Sequence, residues 1–577
     1  MNRRCLVAIR FAPVLVALSV SLPGCQAKFG AGAVTSPQPV APPPLFAEVA
    51  QASGVRFNHS VGGNLERGLT IVQTTGAGCA ILDFDNDGLN DLFLVQGAET
   101  GGNGHRLYRN EGGEKFRDVT QSAGIKGPGK QFGMGVAAGD YNADGWTDLY
   151  VMCWGDNTLY RNNGNGTFTD TTAAAGVRGG GFSSCAVFAD FDEDGDADLF
   201  VARYCEFGPQ NRQRCQQSGI PTSCPPYFYT PQSDLYYRNN GDGTFEEQAK
   251  AAGIVDSTGR GLGVLAFDYN GDRHLDLFVA NDGSPNFLFA GNGKGQFKEV
   301  GTLEGVGFSQ TGTAQGNMGC DVADIHNNRT QSIVVGVFQN ETTPLFHFLP
   351  AGGSEEIARQ SGVAELTNRI LTFGIGFADL DNDGWQDIFS ANGHVHNFVD
   401  KVEAGLTWEQ PRQFLRNTGD GKYADQSAQG GPAVTQPAVG RGLAFGDLDN
   451  DGDVDMLVNN CSGPAMVIRN DHPPQHWLRL RLLSKAPRGY AEGTEVVLQS
   501  GDLQQRAVQK SCYSFASANE PIVHFGLGAR TQVDRVEIRW RNGETQVLEN
   551  LAVDKEHVIR QKGAPALPTA KAPAAAP

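Results

Sequence analysis

A nine-residue acidic peptide recurs along this chain of 577 residues and constrains its fold more than any other feature. A degenerate copy, D-I-H-N-N-R-T-Q-S, fills 324–332. The six full copies begin at Asp83, Asp140, Asp190, Asp268, Asp379 and Asp447. The first residues of the seven copies are 57, 50, 78, 56, 55 and 68 residues apart. A period of this length indicates a propeller, a solenoid or an array.

Two other pieces recur in phase with the acidic peptide. One is an aromatic segment that ends in A-G-V or A-G-I, as at 168–177, and the other is L-Y-R-N, as at 107–110 and 159–162. Short apolar runs separated by Gly and Asn turns give one small antiparallel sheet per unit. Such a sheet cannot bury both of its faces alone, whereas seven sheets arranged radially can. The sequence therefore predicts an all-β fold, a seven-bladed β-propeller over 45–472.

The acidic peptides predict calcium sites. Carboxylates at positions 1, 3, 5 and 9 would repel one another without a cation. Ligand sets made only of oxygen suit hard cations, and flexible high coordination favours calcium over magnesium. Glycine at position 6 of five full copies suits a sharp turn, and position 7 would offer only its backbone carbonyl. We expect about six Ca²⁺ ions in loops of this kind.

The predicted calcium ligands fall into six sets of five residues each. They are Asp83, Asp85, Asp87, Leu89 and Asp91; Asp140, Asn142, Asp144, Trp146 and Asp148; Asp190, Asp192, Asp194, Asp196 and Asp198; Asp268, Asn270, Asp272, His274 and Asp276; Asp379, Asp381, Asp383, Trp385 and Asp387; and Asp447, Asp449, Asp451, Asp453 and Asp455.

An EF-hand begins with the same spacing but requires Glu at position 12 and a helix on each side. Position 12 of the six copies is instead Leu94, Val151, Val201, Val279, Ser390 and Val458. Position 9 leads directly into a β-type run, as in 198–202, so each loop is expected to join two strands. The alternative, acidic turns that are simply solvated, suits one isolated copy better than six copies in phase.

The N-terminus resembles a secretion signal. Arg3 and Arg4 precede an apolar stretch over 11–22 that is too short to span a membrane, so we expect 1–24 to be removed. The sequence L-P-G-C before and at Cys25 resembles a bacterial lipobox, which predicts lipidation of Cys25. An ordinary signal peptide that ends near a cysteine is the alternative. The proline-rich residues 25–44 read as an extended tether, which predicts an exported lipoprotein of the cell envelope, in the periplasm or at the cell surface.

The cysteines fit an exported protein. Of the 11, Cys5 would leave with the signal and Cys25 would be acylated, so an odd number remains and complete pairing within one chain is excluded. We predict a disulfide between Cys215 and Cys224, and a second between Cys153 and Cys205. The sequence contains no C-x-x-C, which argues against a zinc ribbon or a thioredoxin-like site.

The C-terminal part is predicted to form a small β domain over 475–562. Residues 477–483 and 533–540 alternate polar and apolar side chains, as half-buried strands do, and Asn542-Gly543 favours a hairpin turn. The Ala- and Pro-rich residues 563–577 are expected to be a disordered tail.

These motifs resemble a known family. The acidic hairpins followed by L-Y-R-N resemble FG-GAP/VCBS repeats, the type found in integrin α-subunit propellers. H-F-G-L-G at 524–528 and V-D-R-V-E-I-R-W at 533–540 resemble the ASPIC/UnbV domain. Together they resemble bacterial relatives of the cartilage acidic protein family, although 324–332 lacks most acidic ligands and W-R-N-G replaces W-P-S-G at 540–543. The resemblance implies a calcium-binding interaction module outside the cytoplasm, without an assigned reaction.

Composition and motifs exclude some functions and leave two open. The net charge of −18 argues against nucleic acid and against direct docking to anionic lipid. No G-x-S-x-G or H-E-x-x-H motif is present, and the glycines of 259–263 precede a strand, which argues against a phosphate loop. His394 and His396 could reach one metal from alternate positions of a strand, or they could simply form local hydrogen bonds.

Two functional hypotheses follow. The first is a binding or adhesion module for an unknown protein or glycan, with an exposed patch around 203–234 and 394–413 and no obligate oligomer. The second is an enzyme acting on glycans or other exported substrates in the propeller channel. The first requires only what the sequence contains, so we expect no enzymatic activity.

Overall fold

The computed structural model describes residues 43–63, 65–98, 104–208, 210–211, 213, 215–255, 257–419, 421–485 and 489–569. The predicted signal 1–24, the lipidation site Cys25 and nearly all of the tether lie outside these residues. No helix in the described part of the chain is long and apolar enough to cross a membrane.

The strands described between Phe46 and Asn470 form seven four-stranded antiparallel sheets, here called blades 1 to 7, and one two-stranded hairpin. The first strands of successive blades contact one another, and the first strand of blade 7 contacts that of blade 1. The sheets therefore form a closed ring, and the predicted all-β propeller fold is confirmed.

The strands of each blade run from the ring centre outwards. Their bounds are Cys79–Leu82, Asp91–Leu94, Arg106–Asn110 and Phe116–Asp118 in blade 1; Phe132–Gly139, Asp148–Trp154, Thr158–Asn162 and Phe168–Asp170 in blade 2; Ser183–Ala189, Asp198–Arg203, Leu235–Asn239 and Phe245–Glu247 in blade 3; Gly261–Phe267, Asp276–Asn281, Phe287–Gly291 and Phe297–Glu299 in blade 4; Cys320–Ala323, Ser332–Val335, Leu345–Phe348 and Ser354–Glu356 in blade 5; Thr372–Ala378, Asp387–Asn392, Gln413–Asn417 and Tyr423–Asp425 in blade 6; and Gly440–Gly446, Asp455–Asn460, Met466–Asn470 and Phe46–Glu48 in blade 7.

The first and last strands of a blade differ in burial because of their place in the ring. First strands are rich in Gly, Ala and aliphatic residues and are buried on both faces, as in Gly261–Phe267. In five blades the fourth strand buries one aromatic residue and exposes the next two, as in Phe245–Glu247. Blade 7 takes its fourth strand from the start of the propeller, because Phe46–Glu48 pairs with Met466–Asn470 and closes the ring.

Helices are few and only one or two turns long. The α-helices are Ala50–Ser53, Ile71–Thr74, Thr172–Ala175, Ala358–Ser361, Val363–Thr367 and Pro432–Thr435, and the 3₁₀ turns are Leu65–Arg67, Pro226–Phe228 and Val399–Lys401. Three of them end at the glycine of an A-G-V or S-G-V sequence: Gly54, Gly176 and Gly362 have φ between 79° and 98°. That left-handed conformation favours glycine.

The C-terminal domain consists of two four-stranded sheets that share one apolar core. The first sheet contains Gly489–Tyr490, His476–Ser484, Val523–Gly528 and Lys555–Arg560, and the second contains Leu503–Val508, Glu495–Ser500, Val533–Arg539 and Thr545–Leu551. Lys555–Arg560 pairs in parallel with His476–Ser484, and every other strand pair of the domain is antiparallel.

One loop of the C-terminal domain, residues 511–520, enters the centre of the ring and is called the central plug here. Its backbone joins three blades: Ala518 N donates to Cys79 O at 3.0 Å, Val136 N donates to Ala516 O at 3.1 Å, and Ser514 N donates to Cys320 O at 2.8 Å.

The plug explains two glycines of the ring. A Cβ atom on Gly78 would lie 2.1 Å from Ala516 O, and one on Gly135 would lie 2.8 Å from the same atom. Only glycine permits so close an approach of backbone to backbone.

Candidate metal centre

Each acidic loop is held in its turn by the carboxylate at position 1. Asp379 accepts hydrogen bonds from Asp383 N at 3.0 Å and Gly384 N at 2.8 Å, and Asp83 accepts the equivalent bonds from Asp87 and Gly88. The glycines at position 6 have φ between 84° and 99°, as their spacing predicted. Position 4 is also left-handed in every copy, with Asn, Ala or Glu there in all but the fourth, where Gly271 stands. Asn is the residue that tolerates this conformation best after glycine.

Position 9 has a structural role that the spacing did not reveal. Asp91 is fully buried and accepts from Phe84 N at 3.1 Å and from Asn110 N at 2.7 Å. Asp387 and Asp455 make the same two bonds, to the residue at position 2 and to the Asn that ends the L-Y-R-N motif or its counterpart. This carboxylate therefore ties the second strand to both the loop and the third strand.

The loops bring carboxylate oxygens together in four of the six predicted sites. Within the described residues, one oxygen from each member of a set lies within 4.8 Å of the others. The four sets are Asp83, Asp85 and Asp91; Asp190, Asp192 and Asp194; Asp379, Asp381 and Asp387; and Asp447, Asp449 and Asp455. The other two loops have an amide, Asn142 or Asn270, at position 3 and so carry one charge fewer.

The chemistry of these oxygens fits a cation. Asp85 Oδ1, Asp190 Oδ1 and Asp381 Oδ1 are buried and have no hydrogen-bond partner. Burial raises the pKa of Asp83 to about 6, and burial with the neighbouring carboxylates raises the pKa of Asp190 to about 7. Buried carboxylate oxygens without a partner are costly, and a hard cation satisfies them.

In blades 1, 3 and 6, the arginine of L-Y-R-N or of its variant contacts two carboxylates of the same loop. Arg109 donates through Nε to Asp85 and through Nη2 to Asp87, both at 2.6 Å. Arg238 contacts Asp192 and Asp194, and Arg416 contacts Asp381 and Asp383, in the same arrangement. Positions 3 and 5 are thus partly neutralised by the protein itself, while the second oxygen of position 3 in blades 1 and 6 stays unpartnered. The motif was recognised in the sequence, but this role was not.

In five of the seven blades, the asparagine of the same motif joins the blade to the loop of the preceding blade. Asn162 Nδ2 donates to Phe84 O at 2.8 Å, and Asn110 Nδ2 donates to Leu448 O at 2.9 Å across the junction of blades 1 and 7. Asn239, Asn417 and Asn470 make the equivalent bonds at three further junctions. In blade 4, where Gly291 replaces this Asn, Gly295 N donates to Phe191 O at 3.3 Å.

The degenerate loop 324–332 keeps the turn without the charges. Asp324 accepts from Asn328 N at 3.2 Å and Arg329 N at 2.6 Å, so position 1 acts as in the full copies. Ser332 stands at position 9, and its hydroxyl lies 2.9 Å from His347 Nδ1. The loop belongs to none of the acidic clusters found among the described residues.

Two cysteine predictions have different outcomes. Cys215 and Cys224 are disulfide-bonded, with Cα atoms 5.0 Å apart, and staple the two-stranded hairpin of Cys215–Gln217 and Ile220–Thr222. The predicted pair of Cys153 and Cys205 is wrong, because both are free, buried thiols. Cys153 pairs with Gly133 in blade 2, whereas Cys205 bridges to Pro231 beyond the second strand of blade 3. Proximity in sequence to the insertion was a poor guide to proximity in space.

His394 and His396 lie together but do not form a recognisable metal set. Their ring centroids are 5.2 Å apart, and His394 Nδ1 accepts from the backbone N–H of His396 at 2.9 Å. Burial lowers the pKa of His394 to about 3 and that of His396 to about 4, so both are neutral. Within the described residues no third His, Cys, Asp or Glu ligand joins them.

The C-terminal domain covers the face of the ring that carries the acidic loops, called the loop face here. Arg479 lies 2.5 Å from Asp447 of blade 7 and 2.5 Å from Glu520 of the plug, and all three side chains are buried. His524 Nε2 lies 2.7 Å from Asn382 Oδ1 in the loop of blade 6. The segment predicted to be a disordered tail also reaches this face: Asn86 Nδ2 donates to Pro568 O at 2.9 Å. Residues 570–577 lie outside the described part.

The opposite face, called the insert face, carries the connections between second and third strands. The longest connects Asp198–Arg203 to Leu235–Asn239 and includes the disulfide hairpin. It presents two exposed aromatic rings, Tyr227 at 71% and Phe228 at 47%, with centroids 5.0 Å apart.

Comparison with known proteins agrees with this architecture. A family model described as FG-GAP-like repeat matches 83–151, 140–201, 227–279, 268–335 and 379–458, and one described as ASPIC and UnbV matches 485–566. The chain belongs to the FG-GAP-like repeat family and carries an ASPIC and UnbV domain. The family resemblance inferred from its motifs is confirmed.

The chain is also similar to three curated relatives named cartilage acidic protein 1. The Mus musculus protein is 24% identical over 71% of this chain and 62% of its own length. The Xenopus tropicalis protein is 26% identical over 81% of this chain and 70% of its own, and the Homo sapiens protein is 26% identical over 53% and 44%. The chain thus spans less than two thirds of the mouse and human relatives.

Two solved structures show a distant likeness. BBS1N in complex with ARL6DN is 11% identical, with a TM-score of 0.37 over 72% of this chain and 96% of that one. YCF48 bound to D1 peptide is 9% identical, with a TM-score of 0.36 over 71% and 97%.

Proposed function

We propose that this protein is a calcium-stabilised interaction module that acts outside the cytoplasm and binds a protein or glycan ligand. The proposal depends on a difference in exposure between the two faces of the ring. The loop face is covered by the C-terminal domain, whereas the insert face displays a disulfide-stapled insertion with two exposed aromatic rings. Exposed aromatic residues are enriched where proteins bind partners.

Calcium would be held by the carboxylates and amides at positions 1, 3, 5 and 9 of the six full loops, with the carbonyl of position 7. Positions 1, 3, 5 and 9 of the six loops hold 22 carboxylates, and six Ca²⁺ ions would change the formal net charge from −18 to −6. The ions would relieve repulsion and satisfy the unpartnered oxygens. Their role in this proposal is structural.

Export belongs to the same proposal. The signal-like residues 1–24, the lipobox-like Cys25 and the tether would place the propeller at the cell envelope on a lipid anchor. The disulfide between Cys215 and Cys224 supports an oxidising environment, since such bonds are rare in the cytosol.

Binding is favoured over catalysis by the central plug. A propeller channel can hold an active site, but here residues 511–520 hydrogen-bond to first strands of blades 1, 2 and 5 in the middle of the ring. The space that an enzyme of this shape would use is therefore filled by the chain itself.

The calcium proposal is tested by thermal unfolding of the full chain in two buffers, one with calcium at about 10⁻³ M and one with excess chelator. We expect calcium to raise the melting temperature, since one site filled at a hundredfold excess over Kd adds about 2.7 kcal/mol. An unchanged melting temperature in chelator would contradict a structural role.

The binding proposal is tested on glycan and protein arrays. We expect the double variant Tyr227→Ser/Phe228→Ser to lose the signal of the wild type. Leu303→Ser, which removes an equally exposed apolar side chain outside the insertion, should retain it. Equal array signals from both variants would show that the insertion is not part of the binding surface.

A further inference from the structure

A cleft of about 620 Å³ lies on the insert face at the junction of blades 6 and 7. Its walls come from 408–412, 436–439 and 460–466, together with residues of 48–57 that precede blade 1. Its volume falls within the range of roughly 300–1,000 Å³ that is typical of small-ligand sites. None of the acidic-loop carboxylates lines it.

A buried cation without an ion-pair partner among the described residues forms part of the wall. Arg412 is 1% exposed; its Nε donates to Ala433 O at 2.7 Å, and its Nη2 donates to Gln436 O. Its Nη1 has no hydrogen-bond partner, and no carboxylate among the described residues forms an ion pair with it. Burial lowers the pKa of Arg412 to about 10, so the side chain remains charged at neutral pH. The charge of Glu48 acts on the guanidinium without forming an ion pair, so Nη1 stays a buried donor without an acceptor. Such a group is expensive, which favours a ligand that supplies an anionic acceptor.

Two further polar atoms in the same cleft lack partners. The indole N–H of Trp408 and the side-chain oxygen of Asn460 are buried and form no hydrogen bond. The amide of Asn460 donates to Pro464 O at 2.7 Å, which fixes its oxygen as the free atom. The cleft therefore offers two unsatisfied donors, one of them charged, and one acceptor. Native structures satisfy the great majority of such buried groups.

Complementarity to these atoms defines the ligand. A carboxylate accepts from Arg412 and Trp408, and a hydroxyl group donates to Asn460. The lining also holds Arg56, Glu48 and Glu409, so its formal charge together with Arg412 is zero, which disfavours a polyanion. The place of one carboxylate is given by the unpartnered Nη1 of Arg412. The two glutamates would also accept hydrogen bonds from hydroxyl groups of a ligand. We propose that the cleft binds a hydroxylated monocarboxylate of sugar type, a hexuronate unit of an acidic glycan.

This inference names a ligand class for the proposed interaction module and rests on that proposal. The probes are galacturonate and its dimer, titrated calorimetrically into the full chain in calcium buffer, with galactose and a tetraglutamate peptide in parallel. We expect saturable binding of the uronates and none of galactose. Binding of galactose as tight as that of galacturonate would overturn the carboxylate assignment. Preference for the peptide would overturn the sugar assignment.

Two variants test the site itself. Trp408→Phe keeps an aromatic ring and removes the indole N–H donor. Arg412→Lys keeps the charge and removes the planar guanidinium with its paired N–H donors. Each should weaken uronate binding about tenfold, the effect of losing one hydrogen bond to a charged group. Arg178→Gln, which removes an exposed arginine elsewhere, is the matched control and should bind as the wild type does.

The outcomes separate this inference from the broader proposal. Because Arg412 also supports two backbone carbonyls, its variant counts only if the melting temperature is unchanged, and Trp408→Phe decides the matter otherwise. Undiminished binding by Trp408→Phe, or no uronate binding by the wild type, would overturn the inference. Chelator sensitivity and array binding would still stand in that case, so its failure is distinguishable from the failure of the proposed function.

Discussion

The loops of blades 5 and 6 are neighbours with one backbone conformation and different side chains. In both 324–332 and 379–387, the aspartate at position 1 accepts hydrogen bonds from the amides of positions 5 and 6. Position 4 is an asparagine with φ of 50° in the first loop and 54° in the second. The turn therefore forms with a single carboxylate.

The difference lies in what surrounds the turn. Blade 6 adds three further carboxylates, and one oxygen of Asp381 stays buried without a partner. Blade 5 has His326, Asn328 and Ser332 at the equivalent positions. The turn does not need the additional carboxylates, and they repel one another. We therefore propose that they serve a bound cation in addition to the ion pairs with Arg416 and the strand contacts of Asp387.

The largest effect is expected when the charges of blade 6 are removed. Asp381→Asn/Asp383→Asn should cost one bound ion and about 2.7 kcal/mol of unfolding free energy at a hundredfold excess of calcium over Kd. Asn328→Ala in blade 5 is the control and should cost neither. The measurement is calcium stoichiometry with chemical denaturation, with and without chelator. A loss of equal size in chelator would mean that the carboxylates act without a cation.

The junction between the two loops gives the next effect. Asn417 is buried and donates to Ile325 O at 3.0 Å in blade 5 and to Gln386 O at 3.3 Å in its own loop. Asn417→Ala leaves the carbonyl of Ile325 unsatisfied and should cost about 2 kcal/mol by denaturation. In that variant Gln386 O still accepts from the hydroxyl of Tyr423. Asn163→Ala, next to the same motif in blade 2 but exposed, should be neutral. Equal losses of unfolding free energy in the two variants would show that the hydrogen bond between blades does not stabilise the protein more than an exposed asparagine does.

The arginine of blade 6 gives a smaller, calcium-dependent effect. Arg416→Gln should destabilise the protein by about 1 kcal/mol in chelator, because its ion pairs are partly exposed. The loss should shrink in calcium, when the ion holds the same carboxylates. Arg161→Gln in blade 2 is the control, since position 3 there is Asn142 and no ion pair is formed in the described residues. If calcium did not reduce the loss of unfolding free energy, the idea that Arg416 and a calcium ion neutralise the same carboxylates would be contradicted.

The smallest effect belongs to the degenerate loop. Burial, with the neighbouring His326, lowers the pKa of His347 to about 4 from 6.5. The folded state therefore favours the neutral ring, so its contribution is present above pH 6.5 and is lost as the pH falls towards 4. His347→Gln should remove up to about 1 kcal/mol of this pH dependence, because the side chain is partly exposed. Denaturation curves between pH 4 and 7.5 that are parallel for both proteins would refute it.

Much of this comparison could be predicted from the sequence, because the spacing of the acidic residues reports their place in a turn. The seven copies, the strands on either side and the glycine at position 6 follow from local chemistry alone. The sequence alone did not show that the aspartate at position 9 has a structural role besides the predicted metal binding. Its bonds to backbone amides on the third strand depend on strand pairing, which the spacing does not specify.

The features that the sequence left unpredicted depend on contacts between distant segments. The sequence of the plug, S-C-Y-S-F-A-S-A-N-E, is that of an ordinary loop, and it has no periodicity that would predict its place in the ring. The cleft with Arg412 joins four stretches of chain, so no local pattern marks it. The wrong pairing of Cys153 with Cys205 has the same origin, since only the arrangement of blades decides which thiols meet.

The central claim is that a full loop carries calcium and the degenerate loop does not, and a gain of function tests it most directly. His326→Asp/Asn328→Asp/Arg329→Gly gives blade 5 carboxylates at positions 1, 3 and 5, the set that Asp190, Asp192 and Asp194 form in blade 3. Calcium bound per chain is measured for both proteins by equilibrium dialysis with elemental analysis. We expect about six ions in the wild type and one more in the variant, at the affinity of extracellular calcium modules. An unchanged count in the variant, or a wild type that binds no calcium, would contradict the account.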